Sequence, residues 1–384
     1  MIPRTVFQDE HETFRATVAN FLEKEVAPHH RQWENDGVVS RDVWRKAGSA
    51  GLLNTAIPDE MGGLGGNFLH AAIVIEEMGK TNASGPNFPL HSDIICPYLQ
   101  HYGSKEQQQT WLPRMTAGEI IGAIAMTEPG AGSDLQGIQT TAKRDGDDYV
   151  INGQKVYISN GQLADLIIVA CKTDPSEGWR GISLILVEAT REGFSRGKNL
   201  EKIGMHAQDT SELFFDNVRV PRENLLGPEE GKGFIQLVSQ LPQERLIQAV
   251  RGAAVVEGAI KWTLDYTRDR KAFGKSILSF QNTQFKLAEL QSHAAMLRTF
   301  VDRCLELHID GKLTAEDAAM AKMNATDLQC RTLDECLQLH GGAGYMWEYP
   351  IAQAWADSRM SRIAGGSAEI MKQIIAKDMM ARNS

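Results

Sequence analysis

Apolar residues recur every three or four positions through the first third of the chain, between loops that contain Gly and Pro. This spacing places apolar side chains on one face of a helix, so it predicts a helical N-terminal domain over residues 1–120. Glu76 and Glu77 belong to one such segment, and we expect both on an exposed helix face. The segments are HETFRATVANFLEKEVAPHH, RDVWRKAGSAGLL, HAAIVIEEMGK and KEQQQTWLPRMTAG.

Near residue 121 the spacing changes to short apolar or alternating runs, which are typical of β-strands. They predict a small, barrel-like middle β-domain over residues 121–228, with no βαβ unit. Asn152 and Gly153, between two such runs, predict a type I′ hairpin turn. The runs are IIGAIAMTE, DYVINGQKVYISNG, DLIIVACKT, GISLILVEA and SELFFDNVRV.

Helical spacing returns after residue 229. Long runs near residues 232–270, 279–310, 314–340 and 350–381 contain many Ala and Gly residues, which let helices approach closely. They predict a C-terminal four-helix bundle over residues 229–384. The predicted fold class is therefore α+β and multidomain, with helices first, strands next and helices last.

Charge and cysteine content narrow the class of partner. The 384 residues carry a formal net charge of −9 without a block of like charges, which argues against nucleic acid and favours a small-molecule ligand. The five cysteines lack CxxC or His-paired spacing. We therefore expect no metal site and mostly buried, reduced thiols.

The sequence also bears on the compartment. No window reaches the roughly 18 apolar residues of a membrane span. The N-terminal segment is acid-rich and amphipathic, unlike a signal or transit peptide. We expect a cytoplasmic bacterial enzyme or, equally well, an organellar matrix enzyme that has already been processed.

Three loop segments have compositions suited to ligand binding. AMTEPGAGSDLQG, residues 125–137, combines small and polar residues whose backbone N–H groups can approach a ligand, although a tight polar turn has the same composition. QLHGGAGYMWEYP, residues 338–350, has alone the composition of a helix end and loop. RDRKAFGK, residues 268–275, has alone that of a solvated helix end.

Together, and in this order, the three segments closely resemble the acyl-CoA dehydrogenase family over essentially the whole chain. The segments QLPQERL and QLHGGAGYMWEYPIA are most similar to the long-chain branch of that family. The resemblance implies FAD held between the β-domain and the C-terminal helices, with an acyl-CoA thioester against the flavin. It also implies electron-transfer flavoprotein as the partner that receives the electrons.

The resemblance assigns residues to the flavin. Met126, Thr127 and Ser133 would line the flavin and the substrate mouth, and Tyr157 and Ser159 would contact the isoalloxazine ring.

A second group of residues would bind the rest of FAD. Arg270, Phe273 and Gln281 would contact its diphosphate and adenine. Gln338, Gly341 and Gly342 would reach the FAD of a neighbouring subunit, which implies a homo-oligomer, in this family usually a tetramer.

The catalytic base is the feature that distinguishes this chain within the resemblance. Most of the family has a carboxylate immediately before the last motif, where this chain has Gly365. In the long-chain and isovaleryl branches the Glu precedes an Arg on an earlier helix, and Glu244 followed by Arg245 matches that position, with Arg245 beside the substrate. The alternative for Glu244 is a structural carboxylate in the first turn of a helix after Pro242.

The stretch around Gly365 retains predicted roles without a carboxylate. Its backbone N–H would donate to the thioester carbonyl, as the resemblance implies. Ser367 and Glu369 would form a capping box at the next helix start and contact the cofactor.

The leading hypothesis is FAD-dependent α,β-dehydrogenation of long or branched acyl-CoA to trans-2-enoyl-CoA, with Glu244 as the α-proton base. Two alternatives stay open at this point. One is a non-catalytic acyl-CoA or flavin-binding scaffold, which the absent carboxylate at Gly365 favours. The other is a flavin oxidase or monooxygenase of the same fold.

Overall fold

The structure is a computed structural model that describes residues 2–382. Its N-terminal part is helical, and two of the helices begin with side-chain caps. Asn67 accepts from Leu69 N (2.9 Å) and Ser104 forms a capping box with Gln107. The helices are α1 (Asp9–Phe21), α2 (Ala27–Asp36), α3 (Arg41–Ser49), α4 (Phe68–Thr81), α5 (Cys96–Tyr102) and α6 (Lys105–Thr116), with π-helical turns at Leu22–Val26 and Leu90–Ile95.

The strands that follow form one sheet in the order β1-β4-β2-β3-β7-β6, with β5 paired to β4. The pairs of β4 with β1 and β2 are parallel and the other pairs are antiparallel. The strands are β1 (Gly122–Ala125), β2 (Thr141–Asp145), β3 (Asp148–Ser159), β4 (Leu166–Lys172), β5 (Ile182–Glu188), β6 (Phe194–Asn199) and β7 (Thr210–Pro221).

Alternate residues of the central strand β4 enter two different cores. Ile167, Val169 and Cys171 pack with residues of β1, β2, β3, β5 and β7 in a core within the sheet domain. Leu166 and Ile168 instead pack with residues of α5 and α6. Because successive side chains of a strand face opposite ways, one strand joins the sheet core to the helical layer.

The predicted hairpin turn at Asn152 and Gly153 is wrong. Both residues lie inside β3, at a register shift against β7. The tight turn lies instead between β2 and β3, where Asp145 pairs with Asp148 and Gly146 has a φ of 64°. Turn-forming residues thus occur at two nearby places in the sequence. Gly146 lies in the turn itself, and Gly153 lies at a β-bulge.

The C-terminal part is again helical, so the predicted order of helices, strands and helices is confirmed. The first three predicted long helices are present, but the fourth is broken between Ser358 and Ala368, a stretch in which Gly365 and Gly366 both adopt positive φ. The elements are α7 (Gly233–Asp269), β8 (Lys271–Ala272), β9 (Lys275–Ser276), α8 (Gln281–Ile309), α9 (Ala315–His340), α10 (Pro350–Ser358) and α11 (Ala368–Ala381).

Helices α4 and α7 cross at very short distance. A Cβ atom at Gly79 of α4 would lie 2.9 Å from the Cβ of Ala254, and one at Gly258 of α7 would lie 2.8 Å from the carbonyl oxygen of Lys80. Larger side chains would force the helices apart. The crossing therefore fixes α7, the helix that carries Glu244, against the N-terminal helices.

Glu76 and Glu77 are buried, so their predicted exposure is wrong. Glu76 pairs with Arg4 (2.7 Å), Arg15 (2.8 Å) and Arg298 (2.9 Å), and Arg15 also pairs with Glu77 (2.8 Å). Burial alone would raise the pKa of Glu76, but the charges of these arginines hold it well below its usual value. The cluster joins α1, α4 and α8.

The predicted reduced thiols are confirmed, since all five cysteines are free and four are buried. Across residues 2–382, no helix has the length and apolar character needed to cross a bilayer.

Candidate active site

A cavity lies where the N-terminal helices, the sheet and α7 meet. It contains about 1150 Å³ of space free of protein atoms, part of it open to solvent. Its lining comes from residues within 75–94, 124–127, 157–159, 205–208, 244–251 and 360–365. These stretches bring together residues of all three structural layers, as ligand pockets at domain junctions commonly do.

One face of α7 lines this cavity through Glu244, Ile247, Gln248 and Arg251. Their spacing of three and four residues puts them on one side of the helix. Glu244 lies well inside α7, which begins at Gly233. The alternative of a first-turn structural carboxylate is therefore wrong.

Glu244 is a buried carboxyl group with one polar side-chain contact. It is 7% exposed, and its Oε1 accepts a hydrogen bond from the Tyr98 hydroxyl at 3.0 Å. Burial raises the pKa of Glu244 to about 7, while the Tyr98 hydrogen bond and the Arg245 charge act in the opposite direction. A carboxylate with this pKa is suited to general-base chemistry near neutral pH.

Gly365 lies in the same cavity as Glu244. Its φ is 67°, and a Cβ atom there would meet no heavy atom within 4 Å, so the backbone faces open space. Among the described residues, no protein acceptor receives its N–H. The next residue, Gly366, is held from behind, because buried Lys322 donates its Nζ to the Gly366 carbonyl at 2.6 Å.

The cation that holds this turn has an altered pKa. Burial, together with the charge of Arg245, lowers the pKa of Lys322 to about 8. Arg245 is itself buried, and its Nε has no hydrogen-bond partner. It is not among the residues that line the cavity.

A buried ion pair fixes the sheet side of the cavity. Lys155 donates its Nζ to Glu128 Oε1 at 2.8 Å and to the Met126 carbonyl at 2.9 Å. Glu128 also accepts from the backbone N–H groups of Gln139 (2.6 Å) and Thr140 (3.0 Å). These bonds hold the end of β1, from which Met126 and the next residue face the cavity.

The end of β3 presents an aromatic ring to this cavity. Tyr157 has a φ of 61° and is 68% exposed, at a register shift between β3 and β7. Thr127 and Ser159 line the space beside it. The buried Oε1 of Gln208, on the same wall, has no hydrogen-bond partner. An exposed ring, two hydroxyls and an unpaired amide fit a flat, polar, aromatic cofactor such as a flavin.

The structure places the remaining predicted cofactor residues outside this cavity. Within this set Ser367 is half-buried, whereas the side chains of Arg270, Gln281, Gln338 and Glu369 are exposed. Phe273 is 95% exposed with a φ of 53°. Ser133 is likewise exposed in the loop between β1 and β2. The residues concerned are Ser133, Arg270, Phe273, Gln281, Gln338, Gly341, Gly342, Ser367 and Glu369.

The predicted capping box of Ser367 and Glu369 is wrong. Ser367 is the N-cap of α11, and its hydroxyl accepts from Ile370 N at 3.4 Å. Glu369 is the second residue after the cap, one short of the position from which a side chain reaches back. Its carboxylate is exposed.

Sequence reasoning did not single out three residues that shape the site, which are Lys322, Gln248 and Arg251. Gln248 and Arg251 had a detectable signal, since they share a helix face with Glu244 at spacings of four and seven. Lys322 had none, because it reaches the turn at Gly366 from a distant helix. The contact of Tyr98 with Glu244 likewise depends on the fold and had no signal in the sequence.

A buried carboxyl group with a pKa near neutral and a backbone N–H without a protein acceptor line one cavity that suits a flavin. This arrangement suits the class of enzymes that remove a proton beside a carbonyl group. Comparison with known proteins narrows this class. The models for the N-terminal, middle and C-terminal domains of acyl-CoA dehydrogenase match residues 8–119, 123–218 and 231–380. The chain belongs to the acyl-CoA dehydrogenase family, whose members are FAD-dependent oxidoreductases.

Individual relatives match nearly the whole chain. The mitochondrial long-chain specific acyl-CoA dehydrogenase of Mus musculus is 51% identical over 98% of this chain and 88% of its own length. The crystal structure of an acyl-CoA dehydrogenase from Geobacillus kaustophilus is 48% identical, with a TM-score of 0.96 over 98% of this chain and 100% of that one. A glutaryl-CoA dehydrogenase from Mycobacterium smegmatis, in complex with FADH2, is 27% identical with a TM-score of 0.91 over 98% and 96%.

Replacing Lys155 with Met tests the Lys155–Glu128 ion pair on the sheet side of the cavity. The change leaves the Glu128 carboxylate buried without its cation, which costs about 3–5 kcal/mol of the free energy of unfolding. We expect a lower urea midpoint and a lower ratio of flavin to protein absorbance. Lys232→Met, which removes an exposed ammonium 3.4 Å from Glu229, is the matched control and should change stability by no more than about 1 kcal/mol. Equal stability of the two variants would contradict the assignment.

Proposed function

We propose that this chain catalyses the α,β-dehydrogenation of acyl-CoA thioesters to trans-2-enoyl-CoA, with Glu244 as the base that removes the α-proton. The observation that carries the proposal is the buried Glu244 carboxyl group, whose pKa of about 7 is matched to its task, in the same cavity as the Gly365 N–H. A scaffold that only binds would have no use for a carboxylate held at this energetic cost.

The proton step depends on the protonation state of Glu244. The carboxylate accepts the α-proton and becomes the neutral acid, the form that its buried surroundings favour. Tyr98 keeps its own proton, since burial and the Glu244 charge raise its pKa well above 10, and so remains a hydrogen-bond donor throughout. The pair therefore orients the Oε1 atom while leaving the second carboxyl oxygen for the substrate.

The Gly365 N–H is proposed to donate to the thioester carbonyl oxygen. Negative charge develops on that oxygen as the α-proton leaves, and a preoriented donor in a water-poor site stabilises it strongly. Lys322, through the Gly366 carbonyl, holds the turn in which this donor lies. Base and donor are thus proposed to act on one substrate, the base at the α-carbon and the donor at the oxygen of the neighbouring carbonyl group.

The residues on the sheet side are proposed to hold the isoalloxazine ring of FAD. Thr127 and Ser159 supply hydroxyl groups, Tyr157 supplies a ring, and Met126 packs at the end of β1. When bound, FAD accepts the hydride from the β-carbon. We propose that Ser133 and Arg245 contribute to substrate binding around this ring, at the mouth and behind Glu244.

The exposed residues are proposed to bind the remainder of FAD in a homotetramer. Arg270, Phe273 and Gln281 lie around the β8–β9 turn, suited to the diphosphate and adenine of the same subunit. Gln338, Gly341 and Gly342, with Ser367 and Glu369, are proposed as further cofactor contacts, the first three to a neighbour's FAD. The large exposed apolar side chains of this part, which include Phe285, Met296, Tyr345 and Trp355, support an interface between copies.

The substrate is proposed to be a long or branched acyl chain. Glycine at 365 leaves the cavity wall without a side chain, and apolar groups such as Met78, Leu90 and Ile94 line the space beyond Glu244. The long-chain relative from mouse supports this choice.

Electron-transfer flavoprotein is the proposed electron acceptor. The proposed compartment is the bacterial cytoplasm or an organellar matrix. Residues 1–120, 121–228 and 229–384 are the proposed domains.

Glu244→Gln tests the base. The amide cannot accept the α-proton, so we expect anaerobic bleaching of the flavin by acyl-CoA to slow by about 10²- to 10⁴-fold. Flavin content should be retained, and the melting temperature should not fall, because the amide removes a buried charge.

Glu229→Gln, an exposed substitution ahead of α7, is the control and should bleach at the normal rate. Bleaching of Glu244→Gln at that same rate would show that the base lies elsewhere.

The flavin of the wild-type protein should be bleached best by long or branched acyl-CoA. A preference confined to short straight chains would exclude the long-chain assignment, and peroxide release in air would favour an oxidase.

Tyr98→Phe tests whether the Tyr98 hydrogen bond influences the pKa of Glu244. The Tyr98 hydrogen bond lowers the pKa of Glu244, so its loss should raise that pKa further. Because the carboxylate is the active form, kcat/KM rises as pH increases through the pKa of Glu244, and the variant's profile should be displaced to higher pH. Tyr102→Phe, one turn along α5, is the matched control. An unchanged or acid-shifted midpoint for Tyr98→Phe would contradict the proposed contact.

The oligomer is tested by light scattering during gel filtration. A tetramer of 42.4 kDa chains is expected, because Gln338, Gly341 and Gly342 are proposed to contact the FAD of a neighbouring subunit. Phe273→Ser should lower the FAD content without lowering the melting temperature of the apoprotein. A monomer with full FAD content would contradict this proposal.

A further inference from the structure

The cavity has a polar end on α7, away from the proposed base. Gln248 and Arg251 lie one and two turns beyond Glu244 on the same face of the helix, and both line the cavity. The helix rises about 1.5 Å per residue, so Glu244 and Arg251 are ~10 Å apart along its axis. An acyl chain with its α-carbon at Glu244 would therefore pass Gln248 before it meets the guanidinium group.

The guanidinium group of Arg251 and the amide oxygen of Gln248 have no partner in the protein. Among the described residues, the Arg251 guanidinium group makes no hydrogen bond or ion pair, and the residue is half-buried where it lines the cavity. The Gln248 Oε1 atom is buried without a partner. Burial lowers the pKa of Arg251, while the charge of Asp357 acts in the opposite direction. A buried polar atom without a partner reduces stability unless a ligand or water meets it.

Asp357 is the acidic residue whose charge acts on Arg251, and it forms no hydrogen bond with the Arg251 guanidinium group. Its own oxygens accept hydrogen bonds from the Met205 backbone N–H and from Asn82 Nδ2. Asn82, Met205 and Asp357 are all buried, and Met205 lines the cavity with Arg251.

We propose that Gln248 and Arg251 form a subsite for a carboxylate carried on the acyl chain, so that the preferred substrates include CoA thioesters of dicarboxylic acids. A guanidinium group offers parallel N–H donors that match a carboxylate, and the terminal amide of Gln248 can turn its NH2 group to the same anion. The apolar side chains Ile75 and Met78 of α4 and Ile247 of α7 line the cavity with them and suit the methylene groups in between. The subsite rests on the dehydrogenation proposed above.

The test compares two series of substrates on the purified FAD-loaded enzyme. One series consists of straight-chain dicarboxylic acid mono-CoA thioesters of increasing length, and the other of the plain acyl-CoA thioesters of equal length. We expect kcat/KM for the dicarboxylic series to pass through a maximum at one length, where the carboxylate reaches Arg251. At that length the dicarboxylic substrate should be preferred to the plain one.

Arg251→Met should lower the ratio of the two kcat/KM values at that length by about 10- to 100-fold, the usual effect of a hydrogen bond to a charged group. Gln248→Leu should lower the same ratio to a smaller extent. Arg303→Met, which removes an exposed guanidinium group paired with Glu306, is the matched control and should not alter it. Calorimetric binding of product analogues from the two series reports the same preference without turnover.

Several outcomes would overturn the subsite. They are a wild-type preference for the plain series at every length, a preference for ω-hydroxy chains over ω-carboxy chains, and equal loss of both substrates in Arg251→Met. Because Arg251→Met could fail to fold, its flavin content and melting temperature are measured, and the wild-type length series decides the question alone. If no thioester of either series bleaches the flavin, the dehydrogenation proposal itself fails, which is a different result.

Discussion

The structure depends on the burial of one ionisable side chain, Glu244, at the junction of α7 with the N-terminal helices. A carboxylate removed from water is unstable, and that instability is what makes it basic enough to remove a proton near neutral pH. The close crossing of α4 and α7 at Gly79 fixes the helix that carries Glu244, and the hydrogen bond from Tyr98 orients its carboxyl group. Packing at this junction therefore sets the environment of the proposed base.

The buried charges of Glu76 and Lys155 contrast with that of Glu244. Glu76 and Lys155 have oppositely charged partners that balance their charge, and both join segments of the chain. Among the described residues, Glu244 forms no ion pair, and it lines the cavity. Missing balance alone does not mark the cavity, because buried Arg245 has no ion-pair partner either and does not line it. Glu244 combines an unbalanced buried charge with access to the space where a ligand is expected.

Periodicity in the sequence predicted the order of helices and strands, because each element buries one face. It failed where a feature depends on tertiary contacts: Asn152 and Gly153 became a bulge, and Glu76 became buried once arginines from distant segments surrounded it. The same limit applies to the site. Glu244 and Gly365 follow from motif positions, but Tyr98 and Lys322 reach them only through the fold. Their assigned roles stay predictions.

In the proposed mechanism, the turn at Gly365 and Gly366 separates two roles that a single residue could combine. A backbone N–H can polarise a carbonyl group whatever side chain the residue has. Position 365 therefore needs no acid, and only residues that accept its positive φ are expected there. The proposed base lies instead on α7, far away in the chain. On this proposal, substitutions on α7 would change the pH at which the enzyme works, or the shape of acyl chain it accepts, without changing the contact with the thioester oxygen.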